Sequence, residues 1–458
     1  MLRIAGRAKI ALLLALVLVL GSVFFCGEYL LQSQDWIVFS GSPHVYRGGN
    51  LNCGTVVDRS GTLLLDATEG RSYADDLELR MATMHLLGDR YGYISAPALA
   101  QYSSQMVGFD KISGIYSPTG TGGTAVLTLS AQVQKAALEA LDGRKGTIGV
   151  YNYKTGEILC AVTSPTFDPD DMPDIEEDES GEYDGVYVNR FTQSVYVPGS
   201  IFKTVTTAAA LETIPDVLSQ TFFCEGTYEI EGDEVVCEGV HGEIDLEEAL
   251  MYSCNCAFAQ LAQQLGADTL AEYVEQFQVT QPVTFDGITT AQGNFDIGQA
   301  AQVNVAWASI GQYTDTVNPC RFMTFMGAIA GGGVAAQPYL VQSVSSGLLS
   351  SYKAHPQKTQ RILSSAAASQ LQNMMRNNVV SYYGDGQFPD IQVCAKSGTA
   401  EVGGGLPANT TFAGFTLDET YPLAFMVVVE QGGGGASVGA PTIAPVLQAC
   451  VEAMDQNS

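Results

Sequence analysis

Charged residues are few in this sequence, and basic residues are the scarcest. Charged residues make up 15% of the 458 positions, with 21 Lys and Arg against 49 Asp and Glu, so the formal net charge is −28. A surface of that sign repels phosphate groups, which argues against nucleic-acid binding and against a basic patch for anionic lipid. Hydrophobic residues make up 46%, which excludes a disordered chain, and the length predicts roughly two to three domains.

Histidine is also scarce, and its placement argues against a metal site. No histidine forms an H-x-x-x-H pair or stands in a C-x-x-C context, so we expect neither a metal ion nor a cofactor. The acidic stretch 168–184 lacks the ordered ligand spacing of a calcium site and is interpreted as a solvated loop. The four histidines are His44, His85, His241 and His355.

Cysteine is too dispersed for a disulfide-stapled miniprotein, because ten cysteines are spread over the whole chain. Cys224 and Cys237 flank a β-rich stretch, and one hypothesis is a disulfide that closes this hairpin in an oxidising compartment. Cys254 and Cys256 are expected to pack as small apolar residues, not to bind a metal.

One long apolar run stands near the N-terminus. Residues 10–27 carry no charge, follow Arg3, Arg7 and Lys9, and are about long enough to cross a hydrocarbon core of roughly 30 Å as a helix. The basic flank predicts a cytoplasmic tail at 1–9 and an extracytoplasmic body. The sequence therefore predicts a single-pass protein of the cytoplasmic membrane.

Two other interpretations of this run remain open. A cleaved signal peptide favours small residues at the cut, where this sequence has Val23, Phe24 and Phe25. A lipoprotein cysteine favours a small preceding residue, whereas Cys26 follows Phe25. The uncleaved anchor is the preferred interpretation.

Glycine and proline at 118–123 mark a domain boundary, after which the pattern of elements becomes regular. The order of the later strands and helices is typical of an α+β domain with an antiparallel sheet. We therefore divide the body into residues 28–123 and 124–458. The predicted strands are 125–129, 146–153, 157–164, 410–417 and 423–430, and the predicted helices are Ala131–Leu141, 247–265 and 441–454.

Ser200 and Lys203 form the first of three groups that are candidates for a catalytic role. Pro198 and Gly199 stop the preceding chain and Ser200 opens a helix, so that the two side chains share one face. A serine hydroxyl needs a base within hydrogen-bond reach, and a lysine serves when burial or positive charge lowers its pKa. The pair is a candidate nucleophile and base.

Ser253 and Asn255 form the second group, in the predicted helix 247–265. Placed beside the first group, Ser253 would relay a proton toward a leaving amine, and Asn255 would bond a substrate amide. The order along the chain, S-x-x-K and then S-x-N, distinguishes this pair from an isolated polar turn.

The third group is Lys396-Ser397-Gly398-Thr399, which leads into β-type sequence. Lys396 would supply a positive field, and the hydroxyls of Ser397 and Thr399 would bind a terminal carboxylate. Gly398 would let a substrate backbone approach the strand closely. The three groups in this order predict an acyl-transfer site.

Similar patterns elsewhere lack this context. No S-x-N follows Ser350-x-x-Lys353, which is interpreted as a chance match at the surface. The Lys-Thr-Gly turn at 154–156 lies at a hairpin tip and comes before the candidate nucleophile in the chain. A G-x-S-x-G pattern at 435–439 would suit a Ser-His-Asp hydrolase, but no histidine follows Ser437. The glycine clusters lack the G-K-[ST] ending of a phosphate-binding loop.

The ordered trio resembles the motif set of the penicillin-binding proteins, specifically the monofunctional class B transpeptidases. The resemblance extends over 125–449, and the segment 58–61 is similar to the start of the family's non-catalytic pedestal domain. It implies a penicillin-binding/β-lactamase-like transpeptidase domain at 124–458, a small mixed pedestal at 28–123 and an anchor at 10–27.

The resemblance also implies an activity and partners. The activity is D,D-transpeptidation, in which a D-Ala-D-Ala stem peptide of peptidoglycan acylates Ser200 and the amine of a neighbouring stem accepts the acyl group. β-Lactam antibiotics would acylate the same serine, and the backbone N–H groups of Ser200 and Thr399 would form the oxyanion hole. The resemblance further implies a membrane-embedded glycan polymerase as a partner.

Three related functions share the trio. A β-lactamase generally needs a glutamate that positions water, and no Glu-x-x-Leu-Asn stretch is present. A D,D-carboxypeptidase differs only in transferring the acyl group to water. A β-lactam sensor or division scaffold would keep the acylation site without turnover.

Overall fold

The computed structural model begins with a 36-residue helix, Leu2–Ile37. Its segment Ile4–Ser33 has a mean hydropathy of 2.8 in its most apolar window, which is not buried, so its length and composition suffice to span a membrane. The predicted anchor 10–27 lies inside this segment. The structure describes residues 2–39, 41–43, 45–68, 70–110, 113–116, 122–346 and 349–456.

Five strands form the central sheet of the body, and every neighbouring pair is antiparallel. This architecture confirms the α+β expectation. The strand that carries the third group lies at one edge and pairs on one side only within the described part of the chain. In spatial order the strands are Ile158–Ser164, Gly146–Asn152, Leu423–Val429, Asn409–Thr416 and Val393–Ala400.

The central sheet is covered on both faces because its side chains alternate between two cores. On the strand Leu423–Val429, Val427 belongs to the core beneath the C-terminal helix Gly435–Asp455. Its neighbour Val428 belongs to the core that includes the helix Pro319–Ala330. A strand buried on both faces needs a continuous apolar run, and Leu-Ala-Phe-Met-Val-Val-Val supplies it.

A second sheet of six strands joins residues from both sides of the predicted domain boundary. Thr124–Leu127 pairs in parallel with Thr55–Val57 and antiparallel with Val341–Ser346. The carboxylate of Asp58 accepts a hydrogen bond from the backbone N–H of Ala131 at 2.9 Å. In spatial order the strands are Leu349–Lys353, Val341–Ser346, Thr124–Leu127, Thr55–Val57, Leu63–Asp66 and Ser72–Tyr73.

The remaining strands form short antiparallel pairs, and helices surround both sheets. The pairs are Tyr46–Arg47 with Asn50–Leu51, Phe109–Asp110 with Ile115–Tyr116, Thr221–Cys224 with Gly242–Asp245, Thr227–Ile230 with Asp233–Val236, and Thr284–Phe285 with Ile288–Thr289. The predicted helix Ala131–Leu141 is present, and the other helices not yet named are Leu77–Leu87, Pro97–Gln101, Ser103–Met106, Arg190–Gln193, Gly199–Phe202, Lys203–Thr213, Val217–Ser219, Leu246–Met251, Asn255–Leu265, Ala267–Gln276, Gln302–Ser309, Ser365–Asn377, Asn378–Tyr383 and Asp385–Gln387.

Two predicted helices differ from the structure. The closing helix begins at Gly435 instead of 441 and continues through two prolines, because its packing against the central sheet outweighs the lost backbone bonds. The predicted helix 247–265 is two helices, Leu246–Met251 and Asn255–Leu265, separated by a turn. The proposed linker 118–123 lies mostly outside the described residues, and the domain boundaries stay predictions.

Candidate active site

A sharp turn presents Ser200 at the start of the helix Lys203–Thr213. Gly199 has a φ of +59°, where glycine is favoured, and its N–H donates to the backbone oxygen of Gly311 at 3.0 Å. The hydroxyl of Thr411, on the central sheet, donates to the backbone oxygen of Pro198 at 2.7 Å. The nucleophile turn is therefore fixed by hydrogen bonds from both sides.

The ammonium group of Lys203 is the centre of the site. Its Nζ lies 3.0 Å from Ser200 Oγ and 3.0 Å from Ser253 Oγ. It also donates to Ser253 O at 2.6 Å and to Asn255 Oδ1 at 2.7 Å. The first two predicted groups thus meet at one nitrogen atom.

The second group sits where the predicted long helix breaks. Ser253 has a φ of +57°, an uncommon conformation for a residue with a side chain, which turns its hydroxyl and its backbone oxygen toward Lys203. The Asn255 amide donates to the backbone oxygen of Val236 at 2.8 Å. Asn255 is therefore held between Lys203 and a neighbouring strand, in addition to any bond that it makes to a substrate.

Lys396 reaches the same serine from the edge strand. Its Nζ donates to Ser253 Oγ at 3.1 Å and to the backbone oxygen of Ser397 at 2.8 Å. Ser253 Oγ is thus flanked by Lys203 and Lys396, which makes it a bridge between two amines.

Burial lowers the pKa of both lysines. Both side chains have no exposed surface. Desolvation is the main cause that lowers the pKa of Lys203, to about 8, and it also places the pKa of Lys396 well below its usual value, with the charge of Lys203 as the second cause. At a pKa of about 8, roughly one tenth of Lys203 is neutral at pH 7, against roughly 0.03% at an unshifted value.

The edge strand brings Ser397 and Thr399 to the rim of the site. Ser397 donates its backbone N–H to the hydroxyl of Tyr383 at 3.0 Å, away from the neighbouring strand Asn409–Thr416. Because residues two apart in a strand direct their N–H groups to the same side, the N–H of Thr399 also points outward from the sheet. This direction suits the oxyanion hole that the resemblance implies.

Gly398, on the edge strand, packs closely against the turn that presents Ser200. A Cβ at this position would stand 2.2 Å from Thr411 Oγ1 and 2.8 Å from the backbone oxygen of Pro198. Gly398 therefore has a structural reason within the protein itself, and the predicted close approach of a substrate stays a prediction. The close approach that the structure shows is that of the protein's own backbone.

Replacing Gly398 by alanine is expected to shift the nucleophile turn. We expect a loss of about 1–3 kcal/mol in the free energy of unfolding from overpacking, and a fall of about tenfold or more in the rate of acylation by penicillin. Thermal unfolding and a stopped-flow acylation assay measure both. The matched control is Gly386→Ala, where nothing lies within 4 Å of the added Cβ; equal effects in both variants would contradict this account.

A cleft of about 720 Å³ opens over these groups. Ser200, Ser253, Asn255, Ser397 and Thr399 contribute to its wall, whereas the two lysines lie buried beneath it. Its other lining side chains include Trp307, Tyr313, Tyr252, Tyr382, Glu238 and Glu401. The cleft therefore offers hydroxyls and aromatic faces over a buried source of positive charge.

Two side chains support the site although the sequence predicted no role for either of them. The Tyr383 hydroxyl contacts Ser397 Oγ at 3.1 Å besides its backbone N–H, and the Gln312 amide donates to the backbone oxygen of Thr399 at 2.9 Å. Neither residue belongs to a local pattern with chemical meaning, so only the fold shows where each one lies.

The expected disulfide between Cys224 and Cys237 is not formed, since both are free thiols. The hairpin between them is formed by Thr227–Ile230 and Asp233–Val236, while Cys224 belongs to another strand pair, so the two cysteines are not cross-strand partners. Cys254 does more than fill apolar space, because its Sγ lies 3.8 Å from that of Cys237.

The family model described as the penicillin-binding protein transpeptidase domain matches residues 146–448, more than half of the chain. The chain belongs to this family. The resemblance to class B penicillin-binding proteins is thereby confirmed. All three groups of the trio lie within the matched residues.

Comparisons with named proteins and solved structures support this family membership. The chain is 29% identical over 357 residues to the peptidoglycan D,D-transpeptidase PbpA of Mycolicibacterium smegmatis, a match that covers 72% of each protein. It is similar to the crystal structure of a D,D-transpeptidase domain from Eggerthella lenta, with a TM-score of 0.75 and 28% identity over 88% of this chain and 99% of that one. It is also similar to penicillin-binding protein A of Mycobacterium tuberculosis as an imipenem acyl-enzyme complex, with a TM-score of 0.76 and 25% identity over 87% and 98% of the chains.

Proposed function

We propose that this penicillin-binding protein cross-links peptidoglycan as a D,D-transpeptidase, with Ser200 as its nucleophile. One observation carries the assignment of roles: the buried Nζ of Lys203 lies within hydrogen-bond distance of Ser200 Oγ, Ser253 Oγ and two carbonyl oxygens. Family membership and the acyl-enzyme structure of a relative support the reaction class.

The contacts of Lys203 support its role as the base. A neutral lysine amine has two N–H groups and one lone pair. The oxygens of Ser253 and Asn255, at 2.6 and 2.7 Å, take the two N–H groups. The lone pair then faces the hydroxyl of Ser200 at 3.0 Å and can accept its proton as Oγ attacks a carbonyl carbon.

Ser253 is suited to return the proton to the leaving amine. Its Oγ lies 3.0 Å from Lys203 and 3.1 Å from Lys396, and it lines the cleft. The proton held by Lys203 can pass to Ser253 while the hydroxyl proton of Ser253 moves to the amide nitrogen of the departing D-Ala. Lys396 favours this orientation because it donates to the same oxygen atom.

The developing negative charge on the carbonyl oxygen needs donors in fixed positions. The N–H of Ser200 at the start of a helical turn and the outward N–H of Thr399 meet this requirement. Ser397 and Thr399 offer hydroxyls to the terminal carboxylate of the donor peptide, above the buried amine of Lys396. A β-lactam presents a strained amide and a carboxylate, so the same groups would serve its acylation.

The long apolar helix supports a place at the cytoplasmic membrane. With the basic residues at its start in the cytoplasm, the cleft lies outside, where peptidoglycan is assembled. Cross-linking needs newly made glycan strands, which favours a membrane-embedded glycan polymerase as a partner of the anchored chain.

Product analysis distinguishes transpeptidation from its alternatives. We incubate the detergent-solubilised full chain with glycan strands that carry pentapeptide stems, and identify muropeptides by mass spectrometry. Cross-linked dimers with release of D-Ala are expected. Tetrapeptides without dimers would indicate a carboxypeptidase, and a penicillin adduct without either product would indicate a sensor.

Two lysines in Lys-[Ser/Thr]-Gly sequences provide a matched pair of variants. Lys396→Ala removes a buried amine that contacts Ser253, so we expect the cross-linking rate to fall by about 100-fold or more. Lys154→Ala removes an exposed lysine that pairs with Glu419 at a hairpin tip, so its rate should match the wild type. A similar loss in both variants would contradict the assignment.

A further inference from the structure

Four potential metal ligands converge directly beside the second catalytic group. They are Cys224, Cys237, His241 and Cys254, and their ligand atoms all lie within 4.8 Å of one another. Cys254 is the middle residue of Ser253-x-Asn255, so this cluster adjoins the contacts of Lys203. The three cysteines are buried and the histidine is half-buried.

Three of the six ligand–ligand distances in the cluster match the edges of a zinc tetrahedron, and all six are within 4.8 Å. With Zn–S bonds of about 2.3 Å and Zn–N bonds of about 2.0 Å, ideal tetrahedral geometry sets S···S edges at about 3.8 Å and S···N edges at about 3.5 Å. Cys237 Sγ lies 3.8 Å from Cys254 Sγ. His241 Nδ1 lies 3.4 Å from Cys224 Sγ and 3.6 Å from Cys237 Sγ.

We propose that these four side chains hold a structural zinc ion in a Cys3His site. Thiolate and imidazole ligands in tetrahedral array select zinc among the common divalent ions. Four protein ligands close the coordination sphere, so the ion supports the fold and takes no part in the acyl transfer.

A disulfide explains the cluster less well. A disulfide needs an S–S distance of about 2.05 Å and uses two thiols, whereas three thiols and an imidazole point to one centre here. A disulfide between any two of the three cysteines would leave the third buried thiol and the imidazole without a common ligand.

Groups around the cluster are those that commonly support metal thiolates. The backbone N–H of Asn255 donates to Cys237 Sγ at 3.3 Å, and that of Ala257 donates to Cys254 Sγ at 3.4 Å. The ring of His241 stacks on Tyr252, with centroids 5.4 Å apart and planes 13° apart, which fixes its orientation. Such outer contacts orient ligands and stabilise the charge on sulfur.

The proposed ion would connect three segments of the chain beside the catalytic site. It would connect the end of the strand Thr221–Cys224, the loop that contains Cys237 and His241, and the start of the helix Asn255–Leu265. Asn255 hydrogen-bonds both to Cys237 Sγ through its backbone and to Lys203 through its side chain. The ion would therefore hold the turn on which Ser253 and Asn255 are carried.

The test begins with the metal content of the wild-type full chain, purified in detergent under non-reducing conditions without chelator. We expect one zinc ion per chain by plasma mass spectrometry, loss of zinc to a strong chelator, and recovery on addition of Zn²⁺. Co²⁺ added to the stripped protein should give the intense d–d bands of a tetrahedral site and a thiolate-to-cobalt charge-transfer band. This readout needs no variant to fold.

Variants then assign the ligands. Cys224→Ala and His241→Ala should each weaken Zn²⁺ binding by at least about 100-fold, whereas Cys320→Ala, which removes a buried thiol on the helix Pro319–Ala330, should bind as the wild type does. Ser200→Ala should keep its zinc, so failure of this proposal and failure of the proposed function are separable.

Two results would overturn the proposal. One is a wild-type protein that contains no zinc and gives no tetrahedral Co²⁺ spectrum after reduction of its thiols. The other is a peptide map of the non-reduced protein in which two of the three cysteines are joined in a disulfide.

Discussion

Ser200→Ala is expected to abolish covalent labelling by a fluorescent penicillin. The acyl bond forms on the hydroxyl that this change removes, so the labelled fraction should fall by at least about 10⁴-fold under conditions that label the wild type fully. The neighbouring Lys203 remains buried in this variant, and a folded protein that cannot be acylated is the predicted result. Gel fluorescence measures the labelling, and thermal unfolding checks the fold.

Ser350→Ala is the matched control, because Ser350 begins the other Ser-x-x-Lys sequence of the chain. It lies on the edge strand Leu349–Lys353, not at the start of a helix. We expect full labelling of this variant. Peptide mapping of the wild-type adduct should place the drug on Ser200, and an adduct on any other residue would refute the assignment.

Lys203→Arg should slow acylation by about 10³-fold or more while leaving the charge in place. An arginine does not deprotonate near neutral pH, so it can stabilise negative charge but cannot accept the proton of Ser200. Lys353→Arg, in the second Ser-x-x-Lys sequence, is the control and should acylate at the wild-type rate. Equal rates in Lys203→Arg and wild type would exclude Lys203 as the base.

The wild-type rate should also depend on pH in a defined direction. Because burial lowers the pKa of Lys203 to about 8, the neutral form increases about tenfold per pH unit below that value and levels off above it. Acylation rate constants measured from pH 6 to 9 should follow this curve. A rate that is flat over this range, or that falls as the pH rises, would contradict a neutral lysine base.

The three groups of the candidate active site could be predicted from the sequence because each is a short local pattern. Ser200 and Lys203 are one helical turn apart, and Lys396 and Ser397 are neighbours on one strand. The central sheet was predictable for a similar reason, since strands such as Leu423–Val429 are continuous apolar runs. Local spacing and hydropathy can be determined from the sequence alone, without knowledge of the fold.

Features that depend on distant contacts could not be predicted in this way. The helix break at Ser253 has no proline or glycine to mark it, and contacts with Lys203 hold its unusual backbone conformation. The four-ligand cluster was missed because Cys224 and Cys254 stand thirty residues apart in no known spacing, and because a strand pairing that the sequence does not reveal brings Cys224 beside His241. The second sheet pairs strands from both sides of the predicted boundary, and the sequence could not reveal this because a parallel pairing of distant strands leaves no local signal.

The edge of the strand Val393–Ala400 that pairs with no other described strand has a consequence for self-association. An uncovered edge is a template on which another protein chain can aggregate. Here the Tyr383 hydroxyl accepts a hydrogen bond from the backbone N–H of Ser397, and the Gln312 amide donates one to the backbone oxygen of Thr399. These two side chains occupy backbone groups that another strand would otherwise use. A short peptide that pairs with this edge in extended form would exchange these bonds for its own at little cost and add a sixth strand to the sheet.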